Sequence, residues 1–143
     1  IDLLKKYNVD LIALGGTRII SEDIINQTKI GILNSHPGII PDYRGMDIVP
    51  WALYNGDPVG ATCHFIVPEP DAGPILVQRN LKYDKNDSVL TIRVKNMILC
   101  VELMVEAIKN IENIIPIYPD LSRGKRYFQM PIDMLTRLDD GKL

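Results

Sequence analysis

Apolar residues in the first part of the chain switch between helical spacing and unbroken runs. The stretch "IDLLKKYNV" places Leu3, Leu4 and Tyr7 on one side of a helix, and "DLIALGG" follows as a continuous apolar run. Such a run is typical of a parallel strand that is buried on both faces. "SEDIINQ" then predicts a short helix that begins after Ser21, and "KIGILNSH" predicts a second strand. This order of helix, strand, helix and strand predicts a doubly wound α/β layer.

The middle of the chain predicts a helix followed by a hairpin. "DIVPWALYNG" has the pattern of a short helix closed by Asn55 and Gly56. "VGATCHFIV" alternates as a strand does, "PEPDAG" is a tight turn, and "PILVQRNLKY" is a further strand. Because the turn between these two strands is short, we expect them to pair as an extended hairpin.

A long helix follows the hairpin. Asp87 or Ser88 can cap the stretch "SVLTIRVKNMILCVELMVEAIKNI". Its apolar positions lie close to the helical period and predict an apolar stripe formed by Val89, Ile92, Met97, Val101, Met104 and Ile108. Residues 116–143 form a tail of mixed character in which "SRGKRYF" is the basic cluster. The predicted architecture is therefore a mostly parallel sheet with flanking helices, then a C-terminal hairpin and a long helix.

Composition narrows the functional classes. The 143 residues are 46% hydrophobic and suffice for one compact domain, and the net charge of −2 argues against a broad nucleic-acid-binding face. Cys63 and Cys100 are far apart and belong to no C-x-x-C pair, which favours free thiols in a reducing cytoplasm over a zinc or redox site. We find no apolar run long enough for a membrane span and no signal peptide, and we predict no bound metal.

The best candidate chemistry lies where the second strand ends, in "ILNSHPGIIPDYRG". Asn34 and His36 stand at this strand end, and ligands of open α/β sheets bind outside the carboxyl ends of strands. An amide and an imidazolium offer donors that can stabilise a developing oxyanion, and prolines restrict the loop behind them. The Ile40–Pro41 bond is a candidate cis peptide. Asp71, in the turn "PEPDAGP", could fix His36 and raise its pKa.

Each of these residues also has an ordinary structural interpretation. Asn-x-His at a strand end is commonly a capped turn, and an Asp-Ala-Gly turn needs no catalytic role. His64 could face a neighbouring strand, the sheet surface or the site. Arg18 could be a solvated charge, and Trp51 could belong to the core. Taken singly, the residues favour these interpretations.

Four motifs taken together resemble one family. "LNSHPGIIPDYRG", "WALYNGD", "GATCHF" and "DAGPIL", in this order and spacing, resemble the formyltransferases that use 10-formyltetrahydrofolate. The resemblance extends from about Asp10 to Ile111 and covers the glycinamide ribonucleotide, methionyl-tRNA and sugar-nucleotide branches. Gly38 replaces the usual Ser of the family, and Ile39 and Ile40 replace leucines.

The resemblance implies a Rossmann-like fold and an enzyme of one-carbon metabolism. Asn34 and His36 would bind and polarise the formyl oxygen, while Asp71 would assist proton transfer through water and keep His36 protonated. A primary amine would attack the formyl carbon, and tetrahydrofolate would leave. The resemblance also implies two walls of a folate pocket, one formed by Thr17, Arg18, Ile19 and Ile20 and the other by Val67, Pro68, Glu69 and Pro70.

The resemblance leaves the acceptor and the extent of the protein open. Residues 1–143 would form one catalytic domain that lacks the family's N-terminal α/β units, so the chain is either a fragment or a truncated relative. We expect a small-molecule amine acceptor, such as glycinamide ribonucleotide or an amino-sugar nucleotide, with no membrane partner and the oligomeric state open. The alternatives are a methionyl-tRNA formyltransferase core, a formyltetrahydrofolate deformylase and a folate-binding module without catalysis.

Overall fold

The computed structural model describes residues 1–17 and 19–139. The helices are α1 (Asp2–Tyr7), α2 (Glu22–Ile25), α3 (Ile48–Asn55), α4 (Val89–Lys109) and α5 (Ile132–Asp139). The strands are β1 (Leu11–Ala13), β2 (Gly31–His36), β3 (Tyr43–Gly45), β4 (Gly60–Phe65), β5 (Ile75–Asn80) and β6 (Lys125–Tyr127). The helices and strands predicted for the first 110 residues are all present.

A four-stranded sheet in the order β1-β2-β4-β5 carries the site. β1 and β2 are parallel, whereas β2 pairs with β4, and β4 with β5, in antiparallel ladders. The predicted α/β architecture with its hairpin and long helix is confirmed, and parallel pairing within this sheet is confined to β1 and β2. The Ile40–Pro41 bond is cis, as the turn after β2 suggested.

β1 and β4 differ from their predicted burial. Leu11 and Ile12 are half-buried and Ala13 is exposed, because β1 pairs only with β2 within the described chain. β4 is instead buried at every position from Gly60 to His64. Ala61 and Cys63 pack against α4 on one face, and Thr62 bonds to the loop after β2 on the other, so the alternation of buried and exposed positions that the sequence predicted is absent.

Helix α4 packs on the sheet through a different stripe from the predicted one. Leu99, Leu103 and Ala107 pack against Leu33 and Cys63 in the main core. Met97 and Val101 belong to the predicted stripe and are 65% and 64% exposed, so that part of the prediction is wrong. The capping prediction is confirmed at Ser88, whose hydroxyl accepts the Thr91 N–H at 3.1 Å.

The C-terminal segment packs around a second core beside α3. β6 pairs in parallel with β3, and the rings of Tyr43 and Tyr127 stack with centroids 5.0 Å apart. The Trp51 indole donates a hydrogen bond to the Phe128 carbonyl at 2.8 Å. Residues 116–139 therefore contribute to the fold through β6 and the segment after it.

Two further features bear on the functional classes. No helix of residues 1–17 and 19–139 has both the length and the apolar character that crossing a bilayer requires. Within the same ranges, no group of three or more His, Cys, Asp or Glu side chains could hold a metal ion. Cys63 and Cys100 are free thiols in the main core.

Candidate active site

Asn34 and His64 meet because of the register between β2 and β4. The two residues lie opposite each other in the antiparallel ladder, where cross-strand side chains of one face are in contact. The Asn34 Nδ2 atom lies 3.4 Å from the His64 Nε2 atom. The sequence left the place of His64 open, since a strand register is not readable from one strand alone.

Asp71 lies between the two histidines of the chain. Its Oδ1 atom is 3.4 Å from His36 Nδ1 and 4.0 Å from His64 Nε2. Its Oδ2 atom accepts the backbone N–H of Gly45 at 2.9 Å. Asp71 has a φ of 52°, a left-handed conformation that Asp and Asn adopt more readily than most residues. The turn after β4 thus presents a carboxylate to two imidazoles at once.

Backbone carbonyls decide which ring nitrogens carry protons. His36 Nε2 lies 3.0 Å from the Tyr43 carbonyl and His64 Nδ1 lies 2.8 Å from the Phe65 carbonyl, so each of these nitrogens must be the donor. In neutral His64, Nε2 is then an acceptor for the Asn34 amide, whose second N–H can donate to a ligand. In neutral His36, the unprotonated Nδ1 atom faces the Asp71 carboxylate. A proton between Nδ1 and Asp71 Oδ1 would link the two side chains by a hydrogen bond.

Burial controls the charge of both histidines. Burial lowers the pKa of His36, while Asp71 and the Tyr43 carbonyl offset part of that effect. Burial also lowers the pKa of His64, and a charged His36 would lower it further. The sequence predicted a raised pKa for His36, whereas in the structure desolvation outweighs the neighbouring carboxylate.

A crevice opens in front of this cluster. Its volume is about 150 Å³, below the ~300–1,000 Å³ of pockets that enclose a drug-sized ligand, so it suits a ring system rather than an entire folate. The residues around it are Leu14, Thr17, Ile19, Ile20, Asn34, His64, Ile66, Val67, Pro68, Glu69, Pro70 and Asp71. All the residues predicted for the folate walls lie here except Arg18, which falls outside the described residues.

The catalytic candidates do not all face the crevice. Asn34 and Asp71 line it, whereas His36 is 4% exposed and lies behind Asp71. His64 lines the crevice. The groups that can touch a ligand there are therefore Asn34, His64 and Asp71, and His36 contacts this set through Asp71.

The loop after β2 is held by a buried hydroxyl. Thr62 Oγ1 donates to the Gly38 carbonyl at 2.6 Å and accepts the Ile40 N–H at 3.2 Å. Gln78 Nε2 donates to Thr62 Oγ1 and to the Ile40 carbonyl, each at 2.8 Å. These bonds fix the backbone that carries His36 into the site.

A family model and curated relatives match most of this chain. The family described as "Formyl transferase" matches residues 1–108. The methionyl-tRNA formyltransferase of Caldicellulosiruptor saccharolyticus is 32% identical over 92% of this chain and 42% of its own length. The chain thus spans about two fifths of that relative.

Solved structures share the fold. The formyltransferase PseJ of Anoxybacillus kamchatkensis, crystallised with UDP-4,6-dideoxy-4-formamido-L-AltNAc and tetrahydrofolate, is 27% identical with a TM-score of 0.73. That match covers 85% of this chain and 64% of PseJ. Glycinamide ribonucleotide transformylase 1 of Symbiobacterium toebii is 29% identical with a TM-score of 0.69, over 77% of this chain and 53% of its own. This chain belongs to the formyl transferase family.

Proposed function

We propose that the protein transfers a formyl group from 10-formyltetrahydrofolate to a primary amine of a small-molecule acceptor. One observation carries the proposal: an amide, an imidazole and a carboxylate, those of Asn34, His64 and Asp71, converge at the end of a crevice. Acyl transfer to an amine needs a donor that stabilises the oxyanion, which the amide can supply. It also needs a group that accepts the proton of the amine, which the carboxylate and an imidazole can supply.

The crevice is the proposed site of the folate ring system. Apolar side chains of Leu14, Ile20 and Val67 would flank the ring, and backbone groups of the two loops would meet its polar edge. Support comes from PseJ, a member of the same family that was crystallised with tetrahydrofolate. The donor would then place its formyl group beside Asn34.

The chemical step follows from the site's hydrogen bonds. The free N–H of Asn34 would donate to the formyl oxygen as the amine nitrogen bonds to the formyl carbon and negative charge develops on that oxygen. The proton lost by the amine would pass to the Asp71–His36 pair, whose facing acceptor atoms, Oδ1 and Nδ1, are 3.4 Å apart. Collapse of the tetrahedral intermediate breaks the bond to N10 of the folate, which takes the proton back through water.

An amino-sugar nucleotide or glycinamide ribonucleotide is the proposed acceptor. PseJ was crystallised with a formamido-sugar nucleotide, and the Symbiobacterium relative is a glycinamide ribonucleotide transformylase. The net charge of −2 favours a small acceptor over RNA.

Methionyl-tRNA is the second candidate acceptor. The observation in its favour is the set of curated relatives of 30–33% identity that carry the name methionyl-tRNA formyltransferase. This chain matches less than half the length of these relatives. Methionyl-tRNA is therefore a proposed acceptor here, as the small molecules are.

The first experiment measures binding of a stable 10-formyltetrahydrofolate analogue by calorimetry. We expect saturable binding that Asn34→Ala weakens, and Asn86→Ala, an exposed amide away from the crevice, serves as the matched control. Absence of binding to the folded wild-type chain would overturn the proposed donor site.

The second experiment offers the formyl donor with an amino-sugar nucleotide, glycinamide ribonucleotide or methionyl-tRNA. Formylation of either small molecule supports the proposal, and formylation of methionyl-tRNA alone supports the second candidate. Release of formate without any amine acceptor would instead indicate a hydrolase.

A further inference from the structure

Strand β3 contacts the site through each of its residues in turn. The Tyr43 carbonyl accepts from His36 Nε2 at 3.0 Å, and the Gly45 N–H donates to Asp71 Oδ2 at 2.9 Å. Between them, Arg44 Nη1 donates to Glu69 Oε1 at 3.1 Å, in the Pro68–Asp71 wall of the crevice. Both members of the His36–Asp71 pair are therefore hydrogen-bonded to the backbone of one short strand.

Among the described strands, β3 pairs with β6 alone, while its Tyr43 side chain is also held by the Asp57 carboxylate and by the core beside α3. It is three residues long, lies outside the four-stranded sheet, and pairs with β6 in the register Tyr43–Lys125 to Gly45–Tyr127. The pairing is continued past the strand by the Met46 N–H, which donates to the Tyr127 carbonyl at 3.0 Å. The strand pairing of β3 thus comes from a segment of the chain that follows the long helix.

The β6 segment is itself anchored away from the crevice. The Trp51 indole holds the Phe128 carbonyl at 2.8 Å, and Asp47 Oδ2 accepts the Met130 N–H at 3.0 Å. The match to the family model ends at residue 108, so β6 lies outside the part of the chain that this model covers.

We propose that β6 is a positioning element of the active site, which fixes β3 and through it the geometry of His36 and Asp71. Its catalytic consequence rests on the proposed function, whereas its structural consequence does not. A displacement of about 1 Å at reacting groups costs on the order of 10²-fold in rate, so a small shift of β3 has a measurable effect.

Gly45 is a position where a substitution would push β3 away from β6, although its backbone N–H also bonds Asp71. It has a φ of 102°, and a Cβ at this position would overlap the carbonyl oxygen of Tyr127. Gly56 is the control for a substitution at positive φ, because its φ of 72° lies near the left-handed region and a Cβ there has no neighbour within 4 Å. The difference between Gly45→Ala and Gly56→Ala therefore reports the clash with β6 together with the strain at Gly45 itself, and the Trp51 variant below disturbs β6 without altering β3.

The experiment records the ¹⁵N shifts of the His36 ring, which report its tautomer and its bond to the Tyr43 carbonyl, together with kcat and KM for formyl transfer. We expect Gly45→Ala to shift the His36 nitrogens and to lower kcat on the order of 10²-fold with little change in KM for the donor. Gly56→Ala should keep the wild-type values. Unchanged His36 shifts in a folded Gly45→Ala protein overturn the proposal.

A second pair of variants decides the matter if Gly45→Ala does not fold. Trp51→Phe keeps an aromatic ring but removes the donor to the Phe128 carbonyl, and Tyr54→Phe alters the exposed neighbouring ring as its control. We expect Trp51→Phe alone to shift the His36 nitrogens, and wild-type shifts in that variant overturn the proposal. Because the shifts need no turnover, a wild-type chain without transferase activity would refute the proposed function and still test the role of β6.

Discussion

Asp71 differs from an asparagine at its position mainly by its charge. An asparagine could still adopt the left-handed φ of 52° and accept the Gly45 N–H. Asp71→Asn should therefore preserve the turn and the folate crevice while removing the carboxylate that pairs with His36. We expect the rate of formyl transfer to fall on the order of 10²-fold, measured at saturating donor and acceptor.

Two controls separate this effect from a structural one. The affinity for the folate analogue should change little in Asp71→Asn, and Asp120→Asn, an exposed aspartate in the C-terminal segment, should have wild-type kinetics. A wild-type rate in Asp71→Asn would remove Asp71 from the proton-transfer step.

Cys63 is a buried thiol with no place in the site. Burial raises the pKa of Cys63 to about 12 and also raises the pKa of Cys100. Because the thiolate is the reactive form, neither thiol should react with a disulfide reagent at about pH 8 while the protein is folded. In denaturant both thiols should react immediately. Rapid modification of the native protein would contradict the burial of the two thiols.

At the residue scale, the sequence predicted the positions of those residues that lie at strand ends and in turns. Asn34 lies beside the crevice and Asp71 in the turn after β4, because apolar runs and Pro-Gly punctuation mark these points. His64 depends on the pairing of two strands, and the lowered pKa of His36 depends on how deeply the whole fold buries it. Neither the position of His64 nor the pKa of His36 is determined by residues that are close to it in the sequence.

Among the elements, α4 links the core to the loop behind the site. The fully buried Asn96 side chain donates from Nδ2 to the carbonyls of Pro37 and Gly60, at 3.1 and 3.0 Å. It thereby joins the helix to the start of the loop after β2 and to the start of β4. An amide in this position fixes the distance between the helix and both segments.

Asn96→Leu should destabilise the protein by more than a surface change. The substitution keeps a similar volume but leaves the buried Gly60 carbonyl and the part-buried Pro37 carbonyl without their donor, and it also removes the buried Oδ1 atom, which has no hydrogen-bond partner. A buried unsatisfied group costs about 1–3 kcal/mol, so we expect a net loss. Urea denaturation measures the loss, and Met97→Leu, at an exposed position of the same helix, should stay within about 0.5 kcal/mol of wild type. Equal stability of the two variants would show that these bonds do not outweigh the cost of burying the unpaired Asn96 Oδ1 atom.

Helical periodicity alone does not identify the buried face of α4. Apolar side chains surround α4, with Leu90, Val94 and Ile98 exposed while Leu99 and Leu103 are buried, so several stripes fit the helical period equally well. The stripe that is buried contains Asn96, a residue that an apolar pattern excludes. β6 escaped prediction because three residues, "KRY", carry no pattern of their own and pair only through tertiary packing.

For the whole molecule, pH dependence near neutrality should come from the site. The chain has two histidines, and burial lowers the pKa of both below the ordinary value of 6.5. Below about pH 6.5 the histidines of the unfolded chain bind protons, whereas the buried histidines of the folded chain stay neutral. Stability therefore falls as the pH drops from about 6.5 towards the folded pKa values. Above about pH 6.5, both states carry neutral histidines and the contribution is constant.

Chemical denaturation at several pH values checks this expectation. The free energy of unfolding should be lower at about pH 5 than at about pH 7.5, by about 1.4 kcal/mol for each unit by which a histidine pKa is lowered. His64→Gln and His36→Gln should each flatten the profile. A wild-type profile that is already flat over this range would mean that the two histidines keep their ordinary pKa values.

The pairing of β3 with β6 joins positions roughly eighty residues apart in the chain. Contacts across such long intervals must overcome the entropy of closing a large loop, and they tend to form late. On the ribosome, all the strands of the main sheet and the whole of α4 are synthesised before Lys125. A nascent chain would therefore complete its main sheet before β6 can position His36 and Asp71, and the proposed activity would have to wait for residues 125–127.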